Sequence, residues 1–262
     1  MKLSLTDEQT MIQDMACRFA ETILEPAATA LDRGDDKPAE RVLFLQNLKQ
    51  LAELGFMGLN VKSEYGGSDA GVVAFSLAIT EVARVCASTA VTMSVTNMVG
   101  EVIQAIASEE QKQRYLPKLC SGDYAAGGFC LSEAGVGSDP AGMKTSAVLE
   151  NNEWVLNGTK MWISSAEYAG IFVICAVTDP MAAKGKGISC FLVEAGTPGL
   201  IVGKAEEKMG QHGSATNTVI FDDCRIPKSA LMGELNDGFR IALSELSGGR
   251  IGIGSLALGI GQ

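Results

Sequence analysis

The segment Gly128-Phe-Cys-Leu-Ser-Glu-Ala-Gly-Val-Gly-Ser-Asp-Pro-Ala-Gly142, with its continuation Asn157-Gly-Thr-Lys-Met-Trp-Ile-Ser164, carries the strongest structural signal in the chain. Its first part is a short apolar strand that runs into a turn with glycines at 135, 137 and 142. Glycines let backbone NH groups converge on an anion, and Ser138 adds a hydroxyl donor there. Asn157-Gly158 predicts a hairpin turn that leads into a second strand.

The second strand carries Trp162 and Ser164 on one face, because side chains alternate along a strand and Ile163 points to the other side. An indole beside a hydroxyl offers a large flat surface together with a hydrogen-bond donor. An isoalloxazine ring needs a surface to pack on and a few donors along its polar edge. The pattern therefore indicates a flavin site.

The same residues closely resemble the acyl-CoA dehydrogenase family of flavoenzymes, and the resemblance covers the whole chain. The family signature C-[LV]-[ST]-E-x-G-x-G-S-D-x-x-G is met by Cys130 to Gly142, and K-M-W-I-[ST] by Lys160 to Ser164. Ala134 stands where proline is usual, and Val136 where the family prefers a smaller residue. The resemblance implies FAD-dependent dehydrogenation of an acyl-CoA to the enoyl-CoA. A carboxylate takes the α proton while hydride passes from the β carbon to the flavin.

The resemblance also implies roles for individual residues. Ser132 and Ser164 match the residues that hydrogen-bond the flavin ring, and Trp162 matches the one that packs beside it. Taken alone, Trp162 is more typical of core packing, and Arg250 of a surface or interhelical salt bridge. The predicted cofactor-binding set is Phe129, Cys130, Leu131, Ser132, Gly137, Ser138, Trp162, Ile163 and Ser164, and the predicted substrate-binding set is Ser138, Ser247 and Arg250.

The catalytic base is the part that the resemblance leaves open. In most of the family it is a glutamate late in a C-terminal helical domain, and in a minority it directly precedes the arginine that Arg250 matches. Gly249 occupies that position and cannot act as a base. Glu245 lies one turn earlier, where a solvated helix carboxylate is the simpler interpretation. We therefore expect the base in a domain that this chain lacks. The run Gly248-Gly-Arg-Ile-Gly-Ile253 resembles short-chain, butyryl-like members and favours a short or branched acyl group.

Periodicity predicts an α+β fold with three regions: a helical N-terminal domain (1–121), a β-domain (122–233) and the start of a C-terminal helical bundle (234–262). Capping boxes at Thr6 and Ser108 each predict a helix start. The helix that starts at Ser108 is predicted to end at Leu116-Pro117. Short β-branched segments separated by turns predict a small antiparallel barrel or sandwich. The last region is an apolar helix, so we expect most of its bundle to be missing from this chain.

The amino-acid composition argues against several classes of binding partner. The net charge of -10 argues against nucleic acid or an anionic membrane, and no apolar run reaches the roughly 18 residues of a membrane helix. Seven cysteines without a C-x-x-C pair indicate reduced thiols, and neither a signal nor a transit peptide opens the chain. A cytoplasmic location is predicted, or the mitochondrial matrix in a eukaryote. The single His212 argues against a zinc site, so no metal is predicted.

The resemblance adds an electron-transfer flavoprotein as electron acceptor and a homotetramer as the assembly. Two alternatives stay open. Some relatives use the same fold for flavin-dependent monooxygenase or oxidase chemistry, and the chain could instead be a truncated, non-catalytic module that binds flavin or CoA.

Overall fold

The N-terminal region is helical in the computed structural model, which describes residues 4–33 and 37–262. A π-helical segment, Ala20–Leu24, joins the first two helices. Among the helices of residues 4–33 and 37–262, no candidate for a membrane-spanning helix is found. The helices are α1 Asp7–Phe19, α2 Glu25–Arg33, α3 Lys37–Glu53, α4 Gly71–Val85, α5 Ala87–Ile106 and α6 Glu109–Cys120.

Both predicted capping boxes are confirmed, since Thr6 and Ser108 each exchange hydrogen bonds with the glutamine three residues later. The predicted end of α6 at Pro117 is wrong, because the helix continues to Cys120. Proline removes one backbone NH, but Leu116 and Leu119 on the same turns are fully buried. Burial of that face therefore outweighs the lost hydrogen bond.

The β-region forms a single open sheet with the order β6-β7-β3-β2-β4-β5-β8, and β1 lies beside β4. The predicted antiparallel barrel or sandwich is wrong in this respect: the sheet does not close, and β1 runs parallel to β4. Turn-separated β-branched segments predict strands but not which edges meet. The strands are β1 Ala126–Cys130, β2 Ser146–Glu150, β3 Glu153–Ser164, β4 Ala169–Val177, β5 Ile188–Glu194, β6 Leu200–Ala205, β7 Thr216–Pro227 and β8 Leu231–Met232.

Strands β1 and β2 share one edge of β4, end to end. β1 pairs with β4 up to Ile174, and β2 begins its pairing at Val177. Between them the chain leaves the sheet at residue 131 and returns at residue 145, where the Val177 NH donates to the Thr145 carbonyl. We call residues 131–145 the excursion loop. It projects from the middle of the sheet, not from its rim.

The predicted hairpin turn at Asn157-Gly158 is also wrong, because both residues lie inside the continuous strand β3. The β2–β3 turn is instead Asn151-Asn152, whose φ angles of 48° and 72° are the left-handed values that asparagine tolerates. Gly158 marks an irregularity in the pairing with β7. A Cβ there would lie 2.5 Å from the Thr145 hydroxyl oxygen, so glycine serves close approach and not a turn.

The last helix, α7 Gly238–Gly261, packs against α4 and α5. The predicted return to helix after the β-region is confirmed, while the domain limits at 121 and 233 stay a prediction. Glycines bring α7 close to its neighbours. A Cβ on Gly259 would lie 2.2 Å from the Thr80 carbonyl oxygen of α4, whereas a Cβ on Gly254 would meet nothing within 4 Å.

These two glycines give a matched pair of substitutions. We expect Gly259→Ala to lower the free energy of unfolding by about 1–3 kcal/mol, because a backbone atom must move to admit the methyl group. Gly254→Ala should raise it by up to about 1 kcal/mol, since alanine is the better helix former in open space. Urea unfolding followed by circular dichroism measures both. A shift of the same sign in both variants would contradict this packing.

Candidate functional site

The base of the excursion loop lies against strand β3. The Met161 NH of β3 donates to the Ser132 carbonyl oxygen at 2.9 Å. Between Lys160 and Ile163 the register of β3 with β7 shifts, which indicates a bulge at residues 161–162. The loop and the bulge therefore face each other across the interrupted part of the sheet.

Trp162 occupies this bulge in a conformation that is rare for a bulky side chain. Its φ is 56°, and 54% of the residue is exposed although its neighbour Ile163 is buried. Left-handed backbone at a bulky residue costs free energy and is typical of functional sites. The alternation expected along β3 is broken here, and the result is an indole presented to solvent.

A buried ion pair holds the loop to the strand. Lys160 is fully buried, and its Nζ donates to Glu133 Oε1 at 2.9 Å and to the Leu131 carbonyl at 3.1 Å. Glu133 also accepts the backbone NH groups of Lys144 and Thr145 at 2.7 and 3.0 Å. The two ends of the excursion loop are thus joined through one carboxylate.

Burial alone would raise the pKa of Glu133, but the Lys160 ammonium and the two backbone NH donors outweigh it and hold that pKa below its usual range. Glu133 is therefore a carboxylate that accepts from the Lys160 amine. Sequence reasoning assigned no role to either residue. The signal was a lysine and a glutamate within otherwise apolar stretches, where a charge persists only with a partner.

The far end of the loop is open. Gly137 and Ser138 are exposed, and a Cβ added to Gly135 or Gly137 would meet nothing within 4 Å. Asp139 forms an ion pair with Lys184 from the β4–β5 connection, which lowers the pKa of Asp139. The loop tip therefore presents accessible backbone and one hydroxyl.

The predicted cofactor-binding residues divide into two groups. Ser132, Ser164 and Phe129 are partly exposed, as a surface contact requires. The side chains of Cys130, Leu131 and Ile163 are buried in the core, so only their backbones can reach a ligand. The exposed indole, the two serines and the open glycine turn fit a flat aromatic ring with an anionic tail.

The predicted substrate-binding residues Ser247 and Arg250 lie on α7, both exposed. Ser247 Oγ donates to the Leu243 carbonyl of its own helix at 3.2 Å. Gly249 is held between them, and a Cβ there would lie 2.8 Å from Met98 Sδ of α5. Gly249 thus allows the close contact of α5 with α7.

Glu245 is not the solvated carboxylate that the sequence suggested. It is only partly exposed, and its Oε1 is buried without a hydrogen-bond partner. Burial, and then the charge of Glu101 on α5, raise the pKa of Glu245 to about 8. Burial also raises the pKa of Glu101, although Asn60 Nδ2 donates to Glu101 Oε1 at 2.7 Å. The interpretation of Glu245 as a solvated carboxylate is therefore wrong, because the interface with α5 covers the face of α7 that carries it.

His212 serves a structural contact. Its ring nitrogens lie 2.5 Å from the Asp32 carbonyl oxygen and 2.7 Å from the Lys208 carbonyl oxygen. Only the doubly protonated ring donates to both, so these contacts raise the pKa of His212. A cleft of about 320 Å³ beside it is lined by residues of both charges, and Trp162 is not among its lining residues. Among the described residues no group of three or more potential ligands could hold a metal ion.

Comparison with known proteins places the sequence among related chains. It matches the N-terminal domain of acyl-CoA dehydrogenase over residues 6–123 and the middle domain over residues 128–224. It is 43% identical to acryloyl-CoA reductase (NADH) of Anaerotignum propionicum, over 100% of this chain and 65% of that protein. Butyryl-CoA dehydrogenase from Megasphaera elsdenii superposes with a TM-score of 0.91 at 36% identity, over 99% of this chain and 67% of that one.

An acyl-CoA dehydrogenase from Bacillus anthracis, solved in complex with FAD, is 32% identical with a TM-score of 0.89, over 98% of this chain and 42% of that one. The chain thus spans about 65% of the length of the reductase and less than half of the Bacillus anthracis protein.

Proposed function

Because the chain belongs to the acyl-CoA dehydrogenase family, we propose that it provides the flavin-binding part of an FAD-dependent dehydrogenase that converts a short- or branched-chain acyl-CoA to the enoyl-CoA. The observation that carries this proposal is the exposed Trp162 on its bulge, next to the Ser132 backbone that Glu133 and Lys160 hold in place. The FAD complex of a related chain and the butyryl-CoA dehydrogenase fold support it.

FAD, when bound, supplies the acceptor for the hydride from the β carbon. The chain's own residues bind and orient it. Trp162 packs beside the ring, the hydroxyls of Ser132 and Ser164 donate to its polar edge, and Ser138 at the open loop tip binds the anionic tail. Arg250 and Ser247, exposed on α7, bind the acyl-CoA.

The proton-abstracting carboxylate comes from outside residues 1–262 in this proposal. Gly249 has no side chain, and Glu245 lies on the face of α7 that α5 covers, with its pKa raised to about 8 by burial and by Glu101. An electron-transfer flavoprotein as acceptor, a homotetrameric assembly and a cytoplasmic or matrix location belong to the same proposal.

The direction of the reaction is a separate question, because one relative is named as a reductase of acryloyl-CoA. Both directions use the same flavin and the same α and β carbons. We propose dehydrogenation on the resemblance of residues 248–253 to butyryl-like members.

The first test is the visible spectrum of the 262-residue chain purified with FAD. We expect a flavin band that persists when butyryl-CoA is added without oxygen, because the base is absent. Bleaching would place a base within this chain and make Glu245 the candidate. Rapid reoxidation of chemically reduced flavin by oxygen would favour the monooxygenase or oxidase alternative. A folded chain that takes up no FAD would favour the non-catalytic module.

Trp162 gives the sharpest test of the flavin site itself. We expect Trp162→Ala to weaken FAD binding by about 5- to 150-fold, because an aromatic ring packed on another contributes about 1–3 kcal/mol. Trp162→Phe should restore most of the affinity, since it keeps a ring. Flavin absorbance retained after ultrafiltration measures the dissociation constants. Equal affinity in the alanine variant and the unmodified chain would exclude Trp162 from the site.

A further inference from the structure

Two cysteines lie directly opposite each other on neighbouring strands. Cys175 of β4 pairs with Cys190 of β5, and their Sγ atoms are 3.5 Å apart. Both residues are fully buried. All seven cysteines lie in the described part of the chain and are free thiols, and this pair brings two sulfurs into contact.

The register shows what kind of pair this is. The Thr178 NH donates to the Gly187 carbonyl at 2.8 Å, and the Ala195 NH donates to the Gly170 carbonyl at 3.0 Å, so both of these are hydrogen-bonded pairs. Hydrogen-bonded and non-hydrogen-bonded pairs alternate along an antiparallel ladder. Counting inward from either end makes Cys175 and Cys190 a non-hydrogen-bonded pair, the closer of the two types.

That geometry suits a covalent link. In non-hydrogen-bonded pairs the Cα atoms lie about 4.5 Å apart, which is within the 4.4–6.8 Å that disulfides span. The side chains of directly opposite residues leave the sheet on the same side. The sulfurs must approach by about 1.5 Å to reach the bond length of about 2.05 Å.

We propose that Cys175 and Cys190 form a reversible cross-strand disulfide, with a peroxide as the oxidant. Hydrogen peroxide oxidises one thiol to the sulfenic acid and leaves as water. The second thiol then attacks the sulfenic sulfur, forming the S–S bond and releasing a second water. Two thiols and one peroxide thus give one disulfide and two waters. A small oxidant is required because both sulfurs are buried.

The disulfide between β4 and β5 would also affect the start of α7. Cys190 Sγ lies 3.6 Å from the carbonyl of Gly238, the first residue of α7. Drawing that sulfur towards Cys175 changes its contact with the start of the helix that carries Ser247 and Arg250. The disulfide needs only the two cysteines and the peroxide, so its formation is independent of the proposed function.

The test is peroxide treatment of the reduced, folded 262-residue chain, followed by blocking of free thiols, trypsin digestion and mass spectrometry. The sequence places each of the two cysteines alone in one tryptic peptide, Cys175 in 161–184 and Cys190 in 187–204. We expect these peptides joined, lighter by two hydrogen atoms than their sum, and separated by dithiothreitol. The partly exposed Cys17 is an internal control, because its oxidation shows that the peroxide treatment was sufficient. Both peptides recovered unlinked once Cys17 is oxidised would overturn the proposal.

Variants separate a specific link from random oxidation. Cys17→Ser should keep the joined peptides, whereas Cys175→Ser and Cys190→Ser should each lose them. The variant that keeps the thiol attacked by peroxide should leave a sulfenic acid, which dimedone traps when it is added with denaturant. Circular dichroism checks that each variant folds, and Cys175→Ala replaces Cys175→Ser if that variant does not. Oxidation should raise the melting temperature of the unmodified chain but not of the single variants. A link that forms only in urea, or that joins other cysteines, would overturn the proposal.

Discussion

Replacement of Lys160 by methionine should strongly destabilise the folded chain. The substitution leaves the Glu133 carboxylate buried without its cation, and breaking a buried pair by removing one partner costs about 3–5 kcal/mol. The unfolding free energy from urea titration, followed by tryptophan fluorescence, measures the loss. We also expect the variant to lose FAD, because the Leu131 carbonyl and the Glu133 carboxylate at the start of the excursion loop lose their common partner.

A matched control lies in the β4–β5 connection, facing the same loop. Lys184→Met removes the exposed partner of Asp139, and exposed pairs contribute little, so both stability and FAD binding should stay close to those of the unmodified chain. The double variant Glu133→Gln with Lys160→Met should be less destabilised than the sum of its single changes, since it leaves no unpaired charge. If Lys160→Met were as mild as Lys184→Met, the buried pair would not hold the loop.

The second large effect is a dependence of stability on pH that Glu245 controls. Its pKa is about 8 in the folded chain, above the ordinary glutamate value of 4.5 that applies when unfolded. Below pH 4.5 both states hold the proton, and above it the unfolded state releases the proton first. The stability that this group contributes is therefore complete below about pH 4.5 and is lost as pH rises towards 8.

Glu245→Gln should remove this loss, because glutamine has no proton to release. We expect the variant to exceed the unmodified chain by a few kcal/mol, on the order of 2–4, at pH 8.5, with a much smaller difference at pH 5. Glu234→Gln, at an exposed position before α7, is the control and should leave the profile unchanged. Glu101→Gln should flatten the profile partly, since it removes the facing charge. An unchanged profile in Glu245→Gln would show that this carboxyl is solvated.

Local patterns predicted well where one interaction decides the structure. The capping box at Thr6 needs only residues within one helical turn, and it formed as predicted. The hairpin signal at Asn157-Gly158 failed because Thr145, on the neighbouring segment of the sheet, approaches Gly158 closely. The prediction that Glu245 is solvated failed because α5 covers a face of α7, and the sequence of α7 alone does not show this contact. Placing these residues required contacts between separate elements.

For the candidate site too, the sequence motifs predicted the local features but not those that depend on contacts between separate elements. The motifs pointed to Trp162, Ser132 and the glycine turn, and the structure leaves all of them at least partly exposed. The motifs did not show that Trp162 sits on a bulge, because the bulge depends on the pairing of β3 with β7. Nor did they show that the charges of Glu133 and Lys160 meet, since one residue belongs to the excursion loop and the other to β3.

The shared edge of β4 has a consequence for the order of folding. The excursion loop is closed only when β1 and β2 both lie along β4, and β4 follows β1 after about forty residues that include the whole β2–β3 hairpin. Contacts between distant segments form slowly, because the intervening chain must be ordered first. During synthesis the excursion loop therefore cannot close until Val177 has left the ribosome. Because the bulge at Trp162 also needs β7, the proposed cofactor site should be complete only after β7 has emerged as well.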